Sequence, residues 1–220
     1  MRSRMLGLVL LLSPVCGPVA AGEVQFGGAA VLGLPRGAFE RDADEAYGLA
    51  GYVTWGRAQS PLRLRLDAGA EIYGSETRRV AVSPTLNRIT AEQTTDNWVG
   101  WLTAGPELTV GRGRVAPYLH AFLGASYFVT STELRLGYSP APLLSANNHE
   151  DTTVTWGGEA GLRFAVGREL ALDVGARYAG HGEVGYLAEG DLRDVPGGVA
   201  FDLRRSQPRV LELRLGLRFR

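Results

Sequence analysis

Several clusters in this chain carry residue types that can do chemistry. Asp42, Asp44 and Glu45 close a charged run that begins at Glu40, and Asn147-Asn148-His149-Glu150-Asp151 adds oxygen donors and an imidazole. Carboxylate and amide oxygens are hard ligands of the kind that hold Ca²⁺. Asp42, Asp44 and Glu45 are therefore only weak candidate metal ligands; the base rate for charged loops favours an ordinary solvated loop, and no metal site is expected. His120 and Ser126 offer a base and a nucleophile, but six residues apart on one strand they stand roughly 20 Å from each other, too far for a hydrogen bond. Gly180-His181-Gly182-Glu183-Val184-Gly185 matches G-x-G-x-x-G. That motif holds a pyrophosphate only where it opens a helix, and no helical pattern follows. Arg78, Arg79, Arg204 and Arg205 present forks that fit phosphate oxygens. No catalytic set converges, and no cofactor is implied.

The elements that carry these residues are strands. The final stretch, 210–220, reads V-L-E-L-R-L-G-L-R-F-R, with Leu211, Leu213, Leu215, Leu217 and Phe219 on one side and Glu212, Arg214 and Arg218 on the other. A period of two over such a length means a strand, because successive side chains point to opposite faces. Stretches 24–34, 47–55, 62–73, 97–108, 117–129, 154–164 and 170–178 repeat the pattern. The expected fold is all-β: an eight-stranded, antiparallel, up-and-down transmembrane barrel with an apolar outer face and a polar interior.

The inward faces collect Arg63, Arg65, Asp67, Glu71, Glu107, Glu159, Arg163, Asp173, Arg177, Glu212, Arg214 and Arg218. This set is balanced in charge, as buried ions require. An arginine facing lipid at mid-depth costs about 2–4 kcal/mol. Six of them there together would exceed the roughly 5–15 kcal/mol that holds a domain folded. A barrel of this strand number is just wide enough for side chains to fill, so the interior is expected to be plugged.

Connections near 57–61, 111–114 and 166–169 are tight, whereas segments near 35–45, 74–94, 131–151 and 181–207 are long. Short turns at the periplasmic end and long loops outside are the usual arrangement of such barrels. Residues 79–82 with 87–90, and 183–187 with 199–203, are candidate strand extensions beyond the membrane. The topology sorts the aromatics into two belts. Tyr47, Trp98, Tyr127, Trp156 and Tyr178 form the outer one, and Phe26, Trp55, Phe164 and Phe219 the inner. Tyr47 and Trp55 lie eight residues apart on one strand, which at about 3.3 Å per residue and a tilt of about 40° gives roughly 20 Å along the normal.

Residues 1–21 read as a cleaved export signal, with Arg2 and Arg4, an apolar core and small residues ending in Val19-Ala20-Ala21. Residues 22–220 then form the barrel domain. Ser13-Pro14-Val15 ahead of Cys16 is a poor lipidation box, and with Cys16 removed no thiol remains. Cleavage leaves 21 basic and 23 acidic residues, a formal charge of −2. No basic stripe points to nucleic acid.

Gly105-Pro106-Glu107, Pro117-Tyr118, Gly124-Ala125-Ser126-Tyr127-Phe128 and the strand ending near Phe219 resemble the small outer-membrane β-barrel family of opacity-type surface antigens and the OmpA and OmpX barrels. The resemblance implies an outer-membrane location and a C-terminal strand read by the barrel-assembly machinery, although Arg220 follows the aromatic that usually ends the family's chain. The expected partners are outer-membrane lipid and lipopolysaccharide, whose bridging cations the acidic loops could share, and an extracellular protein ligand. The expected role is that of a non-enzymatic surface protein acting through its outer loops in adhesion, host interaction or envelope integrity. A narrow-pore porin for small solutes and a lipid A-modifying enzyme are the alternatives. No His-x-Ser pair in the mature chain supports the latter.

Overall fold

Alternating sequences become walls when each strand finds two neighbours. The computed structural model describes residues 22–81, 90–111, 113–136, 144–186, 192–195, 198–201 and 203–219. The wall is built from β1 (Glu23–Arg36), β2 (Ala46–Gly56), β3 (Leu62–Ala81), β4 (Thr90–Thr109), β5 (Val115–Leu136), β6 (Leu144–Ala165) and β7 (Leu170–His181). Four short strands follow: β8 (Val184–Tyr186), β9 (Leu192–Val195), β10 (Gly198–Phe201) and β11 (Arg204–Ser206). Finally β12 (Arg209–Phe219) closes the ring in the order β1-β12-β7-β6-β5-β4-β3-β2. All these pairings are antiparallel, and closure runs from Phe26 opposite Phe219 to Arg36 opposite Arg209. Among the described residues no helix is long and apolar enough to cross a membrane. The crossing is made by strands, and closure leaves the wall without an edge.

The faces follow the alternation. Leu49, Leu64, Leu102, Leu123, Val154 and Leu215 are exposed, while Arg65, Asp67, Thr103, Phe122, Thr155 and Arg214 are buried. Tyr47, Trp98, Tyr127, Trp156 and Tyr178 are exposed at one level, and Phe26, Trp55 and Phe219 at the other. Phe164 is half-buried. The tight turns lie at the end that carries Phe26 and Phe219. There Thr109 N–H donates to Pro61 O at 2.8 Å and Ala165 N–H to Arg114 O at 2.8 Å. Gly111 takes a φ of +83°, which a side chain would resist.

The candidate extension of the third and fourth strands is present at 79–81 and 90, the rest of 79–82 and 87–90 lying outside the described residues, and the pairing is longer than expected: 74–81 pair with 90–97 after a register shift at Gly74. Residues 131–134, expected in a loop, pair with 144–147. The sheet of β3–β6 thus stands beyond the outer aromatic belt by about eight residues, roughly 25 Å along the strand. The β5–β6 extension escapes an amphipathic search because Thr130, Ser131, Thr132 and Glu133 are polar on both faces. Backbone pairing in water needs no oily side, and Thr95 and Thr132 hydroxyls meet at 2.9 Å. At the other extension, β8 with β11 and β9 with β10 form separate two-stranded ladders rather than prolonging β7 and β12. The break falls at Gly182, whose N–H turns to Val154 O of β6 at 2.9 Å.

Inward glycines make room for rings on neighbouring strands. Gly27 faces Tyr52, Gly69 faces Trp101 and Gly161 faces Tyr118 in register. A Cβ on Gly69 would lie 2.3 Å from the Trp101 ring and 2.7 Å from Leu49 O. Glycine and aromatic thus fill one volume together, which holds the register. Gly69→Ala should lower the refolded yield and cost about 1–3 kcal/mol of stability, as overpacking does. Gly28→Ala, with its nearest contact at 3.6 Å, should be silent. Urea titrations followed by heat-modifiable gel mobility would compare the two, and equal midpoints would contradict this packing account.

Candidate functional site

The barrel interior gathers the charged residues from β3, β4, β6, β7 and β12. All twelve of Arg63, Arg65, Asp67, Glu71, Glu107, Glu159, Arg163, Asp173, Arg177, Glu212, Arg214 and Arg218 are buried. Asp67 is the hub. Its Oδ1 accepts from Trp101 Nε1 at 2.9 Å and Arg177 at 3.0 Å, and its Oδ2 from Arg65 at 2.8 Å and Arg214 at 3.0 Å. Glu107 accepts from Arg163 at 2.6 and 2.8 Å, and from Arg65 and Arg218 at 3.3 Å. Glu159 accepts from Tyr118 at 2.6 Å, Arg214 at 2.9 Å and Arg65 at 3.3 Å. Asp173 takes the Tyr52 hydroxyl at 2.6 Å and Arg163 Nε at 3.2 Å.

Aromatic faces complete the plug. Arg65 lies over Tyr52 and Arg163 over Tyr118, each at 3.9 Å, while Arg177 lies over Phe122 at 4.0 Å. The Tyr52 and Trp101 roles are not visible in the charge pattern. Their sequence signal is an inward position opposite an inward glycine, as at Gly27 and Gly69.

Above the plug, the outer mouth is covered by an apolar clasp. Phe39, on the short 3₁₀ turn Phe39–Arg41, packs with Tyr73, Val99, Phe128, Val184, Tyr186 and Val210. Its ring lies 5.4 Å from Tyr73 and 5.2 Å from Tyr186. Tyr186 then donates to Asp42 Oδ2 at 2.8 Å, and Arg204 pairs with the other Asp42 oxygen. A residue from the first loop and one from the last are thereby tied across the opening.

These contacts reassign the metal candidates. Asp42 is held by Tyr186 and Arg204, the Asp44 N–H donates to Tyr73 O at 3.1 Å, and Glu45 accepts from Tyr47 at 2.9 Å. Among the described residues no group of three or more His, Cys, Asp and Glu side chains is placed to hold a metal ion. Asp42, Asp44 and Glu45 are thus not brought together; their spacing alone could not show that the loop folds inward over Phe39. In the second acidic stretch, Asp151 Oδ2 accepts the Gly185 N–H at 2.8 Å and His149 meets Gly185 O at 3.1 Å. The Gly180–Gly185 motif accordingly ends β7 and begins β8, which lies against β6. His120 and Ser126 are both buried; His120 Nδ1 stands 3.9 Å from Glu159 Oε2, and Ser126 Oγ has no hydrogen-bond partner among the described residues. Of the loop arginines, Arg78 pairs with Glu76 at 2.5 Å, Arg79 lies 3.7 Å from Glu92 and Arg205 3.9 Å from Glu183.

A closed ring of eight strands with an oily, belted exterior and a charged, filled interior defines a small β-barrel of the outer-membrane kind. The chain is similar in fold to Neisserial surface protein A, at 18% identity over 90% of this chain and 98% of that one, with a TM-score of 0.49. It is similar to Ail, the attachment invasion locus protein of Yersinia pestis, at 13% identity over 90% and 97% of the two chains, with a TM-score of 0.46. A major outer membrane protein from Thermus thermophilus gives 12% identity over 90% and 99%, with a TM-score of 0.48. No family model matches the sequence, and no curated protein does.

Two outcomes test the site. Asp67→Asn leaves Arg65, Arg177 and Arg214 short of their shared charge and should cost about 3–5 kcal/mol in urea unfolding. Asp44→Asn should stay within about 0.5 kcal/mol of the parent. Outside the membrane, the Gly185 and Thr152 N–H groups hold the Asp151 carboxyl below its ordinary range. A carboxyl lowered by folding contributes above its unfolded pKa of about 3.9, and that contribution fades as pH falls through the lowered value. Amide exchange at Gly185 should therefore be slow at neutral pH and accelerate only at the acid end, beyond the intrinsic pH dependence. Asp151→Asn should show fast exchange throughout.

Proposed function

We propose that this chain is a non-enzymatic surface protein of the outer membrane, working through the parts that stand outside the wall. The observation that carries the reading is the closed lumen. Asp67 with Arg65, Arg177 and Arg214 crosses the interior at mid-depth, and the clasp around Phe39 and Tyr186 covers the mouth above. A solute would have to break buried ion pairs and then an apolar seal. What remains available is the projecting sheet of β3–β6, whose tip carries Arg78, Arg79, Glu92 and Arg135 on exposed positions, with Glu76 and Glu133 half-buried among them. A rigid platform of mixed charge, continuous with the barrel, is suited to contact with a protein or lipopolysaccharide surface, which supports adhesion, host interaction or envelope integrity as the role. His120 and Ser126, separated and directed into the plug, give no support to lipid hydrolysis.

Shortening the projecting sheet by joining residue 75 to 96 and 131 to 147 should leave membrane insertion unchanged while abolishing cell-surface attachment. Persistence of every surface phenotype would sink the reading. In planar bilayers the refolded protein should give no defined conductance steps. Regular steps that survive in the parent protein would move the assignment to the pore alternative.

A further inference from the structure

The interior is balanced in charge by count but not along its axis. Glu71 and Glu212 lie toward the outer mouth, and each keeps a buried Oε2 without a partner among the described residues. Glu212 lies 3.7 Å from Arg177 Nε. Toward the short-turn end the excess is cationic. A blind vestibule of about 650 Å³ opens there, lined by Arg63, Arg163, Arg168 and Arg218 against Glu23 and Glu169. Behind this lining stand the carboxylates of Glu107 and Asp173, the latter taking Arg163 Nε at 3.2 Å. Arg218 and Arg163 both use Glu107 Oε1, at 3.3 and 2.8 Å, while Arg65 takes Glu107 Oε2 at 3.3 Å.

Two of these guanidinium groups are left with spare donors. Arg63 donates to Glu23 at 3.0 Å, yet its other terminal nitrogen has no partner among the described residues. Arg218 donates to Thr54 Oγ1 at 3.0 Å and to Glu107, and its Nε likewise has no partner among the described residues. Arg63 is 9% exposed and Arg218 6%. These unpartnered nitrogens are themselves buried, so an anion in the cavity would be met by a turn of the two guanidinium groups that line it, whose forks match phosphate oxygens in pairs. The plug closes the far side, so a ligand enters and leaves by the same opening. Residues 58–61, Gly111, Gly113 and residues 167–169 on the short turns line that opening, which places membrane headgroups outside the wall and leaves soluble solutes as the occupants.

We propose that the vestibule is a binding site for a soluble phosphate-bearing anion on the periplasmic side, held by Arg63 and Arg218 with Arg168 at the rim. This site is separate from the outer surface discussed above, and its failure would leave that reading untouched.

The test is calorimetric titration of inorganic phosphate into the refolded mature barrel in maltoside micelles, with chloride keeping ionic strength constant. Saturable binding of one phosphate per barrel is expected. Arg63→Gln and Arg218→Gln should each weaken it about tenfold or more, as the loss of a charge-assisted hydrogen bond does. Arg57→Gln, on the first short turn but outside the lining, should leave it unchanged. Heat-modifiable mobility reports folding; should Arg218→Gln fail to fold, Arg63→Gln and the exposed Arg168→Glu decide the matter. Absence of saturable heat, equal affinity in folded Arg63→Gln and Arg168→Glu, or binding that appears only when phospholipid is added would each overturn the proposal.

Discussion

Everything inside this barrel depends on keeping charges satisfied where water is scarce. A strand wall that faces lipid must turn its polar residues inward, and an inward arginine without a carboxylate is more costly than no arginine. Asp67 meets that constraint by serving three arginines and the Trp101 indole at once. Its partners come from β3, β4, β7 and β12, so one carboxylate ties opposite walls of the cylinder together. Slippage of β3, β7 or β12 by one residue would move an arginine to the lipid face, and slippage of β4 would move Glu107 there and leave its arginines alone.

The glycines serve the same constraint by geometry. Rings of Tyr52, Trp101 and Tyr118 can lie flat against the wall only because Gly27, Gly69 and Gly161 face them. Lying flat, Tyr52 and Tyr118 offer their faces to Arg65 and Arg163 and their hydroxyls to Asp173 and Glu159. Close packing, hydrogen bonding and cation–π contact therefore use the same side chains. The apolar clasp at Phe39 and Tyr186 is of another kind: it excludes water from the outer mouth and is fastened by a polar tie at Asp42.

Strand count, facing and the sign of each interior residue were legible because a period of two reports the face directly. Which arginine meets which acid was not. Arg177 lies between Glu159 and Glu212 in register, yet donates to Asp67 across the lumen. Such contacts are set by shear and curvature, which no local pattern encodes. Polar extensions such as 131–136 hid for a related reason, since strands in water need not alternate. The spacing of Asp42, Asp44 and Glu45 was uninformative, because carboxylate spacing looks alike whether a loop gathers around an ion, stays solvated or folds inward over an aromatic.

The plug at mid-depth must be rigid and dry, and its guanidinium protons report on both properties directly. In a ¹⁵N-labelled refolded barrel, the side-chain N–H groups of Arg65, Arg177 and Arg214 should exchange slowly with water and show restricted rotation about Cζ. Assignments would come from Arg→Lys variants. Rapidly exchanging, freely rotating signals from all three in the folded barrel would mean a hydrated, open lumen and would contradict a closed plug.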